Sequence, residues 1–377
     1  MDIKFTEEQE IIRSSAREFL ASRFPKSLAR EIVSREGNFP KELWVEMAAL
    51  GWMGLALPEK YGGSSGKFLD LVILLEEMGR ACIQSPFFNS AVLAPYILLE
   101  AGTELQKQQI LTEIGCGNLI VSPAIVEPEA DFDPSGITVT ATLVDGRYAI
   151  NGTKLFVPYA DVADYLIIAA RTKKTKKTDD VITLFLVGGK TKGIKKTMLK
   201  TVSCDRQFEL ELNNVMVPCE NVIGELNQGW KYMSKVLLKT AVAKCAEMNG
   251  GAQQVLDMTV SYAKERVQFG RPIGSFQAVQ HHCVNMLVDV EVCRWSTYKA
   301  AWMIDEGMVY QQQAAITRAL CNQSYGRVVA LGHQVIGGVA YCLDHDMPLY
   351  FRHARSTEIE LGDAEFYKKL VEDGIYA

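Results

Sequence analysis

The strongest constraint on the fold is where the hydrophobic period of this chain changes. Up to about Asn118 apolar residues recur at helical spacing, from Leu119 they alternate, and beyond Gly224 and Gly229 helical spacing returns. Alternation puts successive side chains on opposite faces of a sheet, whereas a 3.6-residue period puts them on one face of a helix. The chain therefore reads as α+β in three units. These are an N-terminal helical domain (1–118), a middle β-barrel-like domain (119–224) and a C-terminal four-helix bundle (225–377) with four long helices.

Local signals place the elements. Thr6 and Gln9 form a capping-box pattern that opens a helix running to about Ser22. Further helices are expected over Lys41–Leu50, Leu69–Ala81, Ser90–Ala101 and Glu104–Ile114, with Leu57–Gly66 a Pro- and Gly-rich loop. Asp145-Gly146 marks the turn of a hairpin over Ile137–Gly152. YLIIAAR, VITLFLV and FELELNNVMV supply further strands.

Composition excludes several classes. A formal net charge of −5 makes no case for nucleic acid, and the lysines of Thr172–Lys177, bounded by Asp179 and Asp180, suit a solvated hairpin loop. Nine cysteines occur without a C-x-x-C pair, and with five histidines and no carboxylate at ligand spacing no metal site is expected. Scattered free cysteines fit a reducing cytoplasm, so a cytoplasmic protein is expected. No apolar run approaches the ~18 residues of a membrane span, and the polar N-terminus shows no signal peptide. Trp230, Trp295 and Trp302 fall on apolar helix faces and suit packing.

Chemistry concentrates between Glu265 and Gln280, ERVQFGRPIGSFQAVQ, where one helix ends and another begins. Arg266 offers a planar, permanently charged fork for a pyrophosphate, Phe269 a flat apolar wall, and Gln277 an amide for a heterocycle edge or phosphate. A plain helix hairpin with a surface Arg is the competing reading.

This segment resembles the acyl-CoA dehydrogenase family. So do Asn151–Asp164, NGTKLFVPYADVAD, and Gln334–Arg355, with its Gln-x-x-Gly-Gly run and the following Pro348 and Arg352. The resemblance implies FAD as cofactor and an acyl-CoA substrate desaturated at its 2,3-position. It also implies an electron-transferring flavoprotein as electron acceptor. It assigns FAD contacts to Arg266, Phe269, Gln277, Gln334, Gly337 and Gly338, and to Phe156 beside the flavin ring. The acyl pocket falls to the Pro86–Ala91 and Thr240–Cys245 regions.

The chain departs from that pattern where a thioester α-proton must be removed. Counted from Arg352, the usual Glu base is Leu361; counted back from Arg266, its alternative place on the helix is Thr240. Neither accepts a proton from carbon. Hydroxyls that serve flavin and thioester become Val126 and Phe132. The Thr after Phe156 becomes Pro158, which lacks an N–H. The usual Asp and Arg of the helix become Leu238 and Ala241.

In the family each FAD lies between two protomers, and the residues kept here are those that grip the neighbour's nucleotide. The expectation is a helper subunit that completes the FAD site of a homologous partner chain carrying the base. Two alternatives stay open. One is a self-sufficient dehydrogenase, with itself as the partner chain, using Asp363 or Glu360 as a displaced base. The other is a cofactor-free structural subunit. Against catalysis, Glu360 suits a charged loop and Asp363 suits a helix cap.

Overall fold

The structure is a computed structural model and describes residues 4–34, 39–129, 134–173 and 181–376. Phe132 and most of the lysine-rich loop lie outside that range. The Thr6–Gln9 capping box forms, and helix α1 (Glu7–Arg23) follows it. Then come α2 (Lys26–Ser34), α3 (Lys41–Ala49) and α4 (Phe68–Ala81). A π-helical turn over Phe88–Leu93 leads into α5 (Ala94–Ala101); α6 (Glu104–Gln106) and α7 (Thr112–Gly115) flank a second one, Lys107–Leu111. Helical period in the sequence does not distinguish i→i+5 from i→i+4 bonding, so these two turns are findings of the structure.

Eight strands make one sheet: β1 (Val121–Ala124), β2 (Thr140–Val144), β3 (Arg147–Pro158), β4 (Tyr165–Arg171), β5 (Ile182–Gly188), β6 (Ile194–Leu199), β7 (Gln207–Pro218) and β8 (Val222–Ile223). Their order is β6-β7-β3-β2-β4-β5-β8, with β1 running parallel to β4. Asp145 and Gly146 take φ +48° and +74°, the left-handed pair that a two-residue hairpin turn demands. Ile150, Leu166, Phe185, Leu210 and Val215 are among the residues that fill the sheet's own core.

Three long helices follow, α8 (Gly229–Glu265), α9 (Gln277–Asp305) and α10 (Gln311–Ile336), with shorter α11 (Met347–Thr357) and α12 (Ala364–Tyr376). A small hairpin of β9 (Val267–Gln268) and β10 (Arg271–Pro272) separates α8 from α9. Instead of four long helices there are three long and two short ones. The reason is local: Gly337 (φ +76°) ends α10, and Leu361 and Gly362 (φ +62° and +106°) separate α11 from α12. Among the described residues no helix is long and apolar enough to cross a membrane, and no cluster of metal-ligating side chains forms.

Helix α8 carries the N-terminal helical unit. It packs on α4 at backbone distance, because Gly79 faces the Glu247 carbonyl and Gly250 faces that of Glu76. This crossing positions Glu247 and its neighbours.

Candidate functional site

Arg266 leaves α8 in an extended conformation, and its carbonyl accepts from the Ile273 N–H at 2.8 Å. At the hairpin tip Phe269 and Gly270 are both left-handed, φ +55° and +78°. For Phe269 that conformation costs about 1–2 kcal/mol, yet the ring is 92% exposed, with Phe276 edge-on to it at a centroid distance of 6.0 Å. Arg266 and Gln277 are exposed, and their side chains make no hydrogen bond or ion pair among the described residues. Gln277 opens α9, whose N-cap residue Phe276 supplies no side-chain acceptor. The first N–H groups of a long helix thus stand uncapped beside an uncommitted guanidinium, a combination suited to phosphate.

Gln334 is exposed on the last turn of α10. A Cβ on Gly337 or Gly338 would meet no atom within 4 Å. Gly337 needs its positive φ, but nothing in this chain requires glycine at Gly338. Room kept by a glycine that its own fold does not use suits close approach from outside the chain. Arg266, Gln277, Gln334 and Gly338 are therefore open to a ligand approaching from outside the chain.

The ring side is built differently. Phe156 is left-handed at φ +51° and 52% exposed. The Pro158 carbonyl already accepts from Ser122 Oγ at 2.5 Å, and Pro158 has no N–H to offer. Tyr159 is buried, and its hydroxyl finds no partner among the described residues. Beneath them Glu127 accepts from Thr138 N and Oγ1, from Val139 N, and from Lys154 Nζ at 2.5 Å. The framework of a flavin cleft is present, whereas the hydroxyl and N–H donors at Val126 and Pro158 are not.

The loop after α11 carries Leu361, buried at 8% exposure and left-handed. Its carbonyl accepts from Tyr367 Oη at 2.6 Å, and that of Gly362 from Asn322 Nδ2 at 3.2 Å. The wholly buried Arg318 donates to the carbonyls of Thr357 and Glu360. Each neighbouring carboxylate is engaged. Glu360 pairs with Lys244 at 3.1 Å. Asp363, exposed, accepts from the Phe366 N–H at 2.8 Å and caps α12. Thr240 donates to the Val236 carbonyl at 2.8 Å inside α8.

Asp363→Ala is accordingly expected to cost about 1 kcal/mol, the value of a lost N-cap, and to change no flavin or thioester chemistry. Thermal unfolding alongside a dehydrogenase assay of the assembled protein checks this. Loss of activity without loss of stability would restore Asp363 as a base.

Sequence reasoning missed the cluster around Lys244. Its Nζ meets Glu247 at 2.8 Å and Glu360 at 3.1 Å, and it lies 3.7 Å from the Phe88 ring centroid. Glu247 also meets His353 Nε2 at 3.1 Å, and His353 Nδ1 meets Tyr325 Oη at 2.9 Å. Four segments contribute, so no short motif signals them. Burial pushes the Glu247 carboxyl up, but Lys244 and the His353 hydrogen bond outweigh it and hold the group down at about 2.

A carboxylate with a depressed pKa stabilises the fold above its unfolded value and loses that contribution as pH falls through the folded one. Stability is expected to drop by about 2–3 kcal/mol between pH ~4.5 and ~2 on this account. Glu247→Gln should flatten that part of a urea-midpoint profile. An identical acid profile in the variant would reject the assignment.

The comparisons agree with this architecture. The chain matches the acyl-CoA dehydrogenase N-terminal domain over residues 6–118, the middle domain over 122–215 and the C-terminal domain over 227–376. It is 32% identical to the short-chain specific acyl-CoA dehydrogenase of Clostridium acetobutylicum, over 100% of both chains. Among solved structures it superposes on the butyryl-CoA dehydrogenase of Megasphaera elsdenii with a TM-score of 0.94, at 28% identity and 100% coverage of each chain. On a chain of the ChsE4-ChsE5 complex from Mycobacterium tuberculosis the TM-score is 0.88 at 28% identity, covering 100% of this chain and 99% of that one. Helical, sheet and helical domains in this order define a flavoprotein oxidoreductase. The chain belongs to the acyl-CoA dehydrogenase family, whose cofactor is FAD.

Proposed function

We propose that this chain is a subunit of an FAD-dependent acyl-CoA dehydrogenase and completes the FAD site of a homologous partner chain that carries the catalytic carboxylate. One observation carries the reading. Leu361 stands at the base position with its neighbours Glu360 and Asp363 already committed, while Arg266, Gln277 and Gln334 are exposed and uncommitted.

In this role Arg266 binds the diphosphate as a charge-assisted fork, with the open N-terminus of α9 facing the same anion. Gly338 lets the nucleotide approach the backbone. FAD, when bound, supplies the electron acceptor for the 2,3-desaturation, and the partner supplies the proton acceptor. Electrons pass on to an electron-transferring flavoprotein. The exposed apolar residues Val284, Leu287, Val288 and Val292 lie at helical spacing on α9 and suit a protomer contact. A solved relative that is itself a complex of two named chains supports a heteromeric assembly.

The displaced-base alternative would require Asp363 to leave its cap or Glu360 to leave Lys244. The cofactor-free alternative leaves the uncommitted Arg266 and the glycine at 338 unexplained.

The test is the flavin content of the assembled complex. Arg266→Ala should weaken FAD retention by about 10- to 100-fold, the value of a charge-assisted contact. Undiminished flavin in the complex would reject the helper role. So would a yellow, active preparation of this chain alone that Asp363→Ala inactivates.

A further inference from the structure

The Lys244 cluster has no part in gripping a neighbour's nucleotide, and its position relative to the base loop gives it another use. Phe88 belongs to the Pro86–Ala91 stretch, Lys244 to the Thr240–Cys245 stretch, and Glu360 adjoins the base position at Leu361. The family resemblance gives the first two stretches to the acyl pocket and the base to the third, and a single ammonium group ties them together. Lys244 is 4% exposed by its side chain, touches a carboxylate on either side and covers the face of Phe88. The far side of Glu247 is held by His353, itself fixed by Tyr325.

We propose that Lys244 is a built-in plug: it closes the chain's own acyl slot, so that this chain does not seat an acyl group beside Leu361. The proposal rests on the helper-subunit reading and deepens it. An aliphatic chain entering here would have to part a buried ammonium from two carboxylates and offer them no hydrogen bond in return. Buried charges tolerate such a loss poorly.

The test compares acetyl-CoA with hexanoyl-CoA by calorimetric titration of the full chain. The thioester and CoA are common to both, so the ratio of affinities reports only the four extra methylenes. In an open slot each buried methylene multiplies affinity by about fourfold, or about 250-fold for four. The wild-type chain is expected to bind both ligands equally within about twofold, or neither. Lys244→Val combined with Glu247→Gln and Glu360→Gln removes the plug without stranding either carboxylate, and should prefer hexanoyl-CoA by tens of fold. Circular dichroism and melting establish that the variant is folded, with Lys244→Ala in the same two-Gln background as a second variant.

A wild-type preference for hexanoyl-CoA above about tenfold would overturn the proposal, and that arm needs no variant to fold. Folded plug variants without any preference would overturn it too. The helper-subunit reading is judged separately, by flavin retention in the Arg266→Ala complex. A shut slot with undiminished flavin therefore rejects that reading and keeps the plug.

Discussion

Replacing Lys154 with methionine is expected to lower the stability of the sheet domain by about 3–5 kcal/mol, the cost of stranding one member of a buried ion pair. Neither Lys154 nor Glu127 exposes any side-chain surface. Lys154 Nζ reaches Glu127 at 2.5 Å and the Ile125 carbonyl at 3.2 Å, fastening strand β3 to the segment that follows β1. Burial pulls the Lys154 amine down and Glu127 opposes it. Without the amine, Glu127 keeps three donors from Thr138 and Val139 but has no counter-charge. The double variant Lys154→Met, Glu127→Gln should recover part of the loss, because an amide retains some of those bonds with no charge to bury. Urea unfolding followed by fluorescence and by far-ultraviolet dichroism measures both proteins. A change below about 1 kcal/mol in Lys154→Met, the range of an exposed pair, would reject this account.

Alanine at Gly250 is expected to cost about 3 kcal/mol or more, at the upper end of core overpacking. Helix propensity alone gives the opposite sign, since Gly→Ala in a helix interior gains about 1 kcal/mol. The deciding distance is that from the added Cβ to the Glu76 carbonyl oxygen, 1.8 Å, with the Arg80 amide nitrogen at 2.6 Å. Both are backbone atoms, so no rotamer change relieves the overlap and α4 must move away from α8. Gly79→Ala meets the Glu247 carbonyl at the same 1.8 Å and should behave alike. Because these residues share one crossing, the double variant should cost less than the sum of the singles. A melting temperature equal to or above wild type for either single would show that the helices are not held this close.

Both predictions concern the framework beneath the candidate site. The Lys154–Glu127 pair supports the ring side, and the α4–α8 crossing places Glu247. Arg318, Asn322 and Tyr367 hold the loop of Leu361 by its carbonyl oxygens. Backbone groups need partners whether or not the loop does chemistry. The fold can therefore keep this wiring while the side chains above it change.

Much of this was legible in the residues alone. Thr6 with Gln9, and Asp145 with Gly146, act within four residues of themselves, so their local chemistry shows in one dimension. The same holds for Asp363, whose cap on α12 depends on a neighbour three positions on. Leu361, Thr240 and Pro158 lack the needed acid–base or N–H chemistry in any conformation, so their meaning follows from composition and order. Arg266 stands out in the same way, because a charged fork beside a turn is a local pattern.

Long-range encounters were not legible. Lys244, Glu247, His353 and Glu360 are separated by up to 116 positions, and each alone is an ordinary helical or loop residue. Gly250 looks like a weak helix position until α4 arrives against it. Residue order settled the family, the element types and the side-chain chemistry available at Leu361 and Thr240, because those depend on covalent chemistry and short-range periodicity. Packing of distant segments settled which charges meet, because a charge takes its role from whatever the fold places within about 4 Å of it.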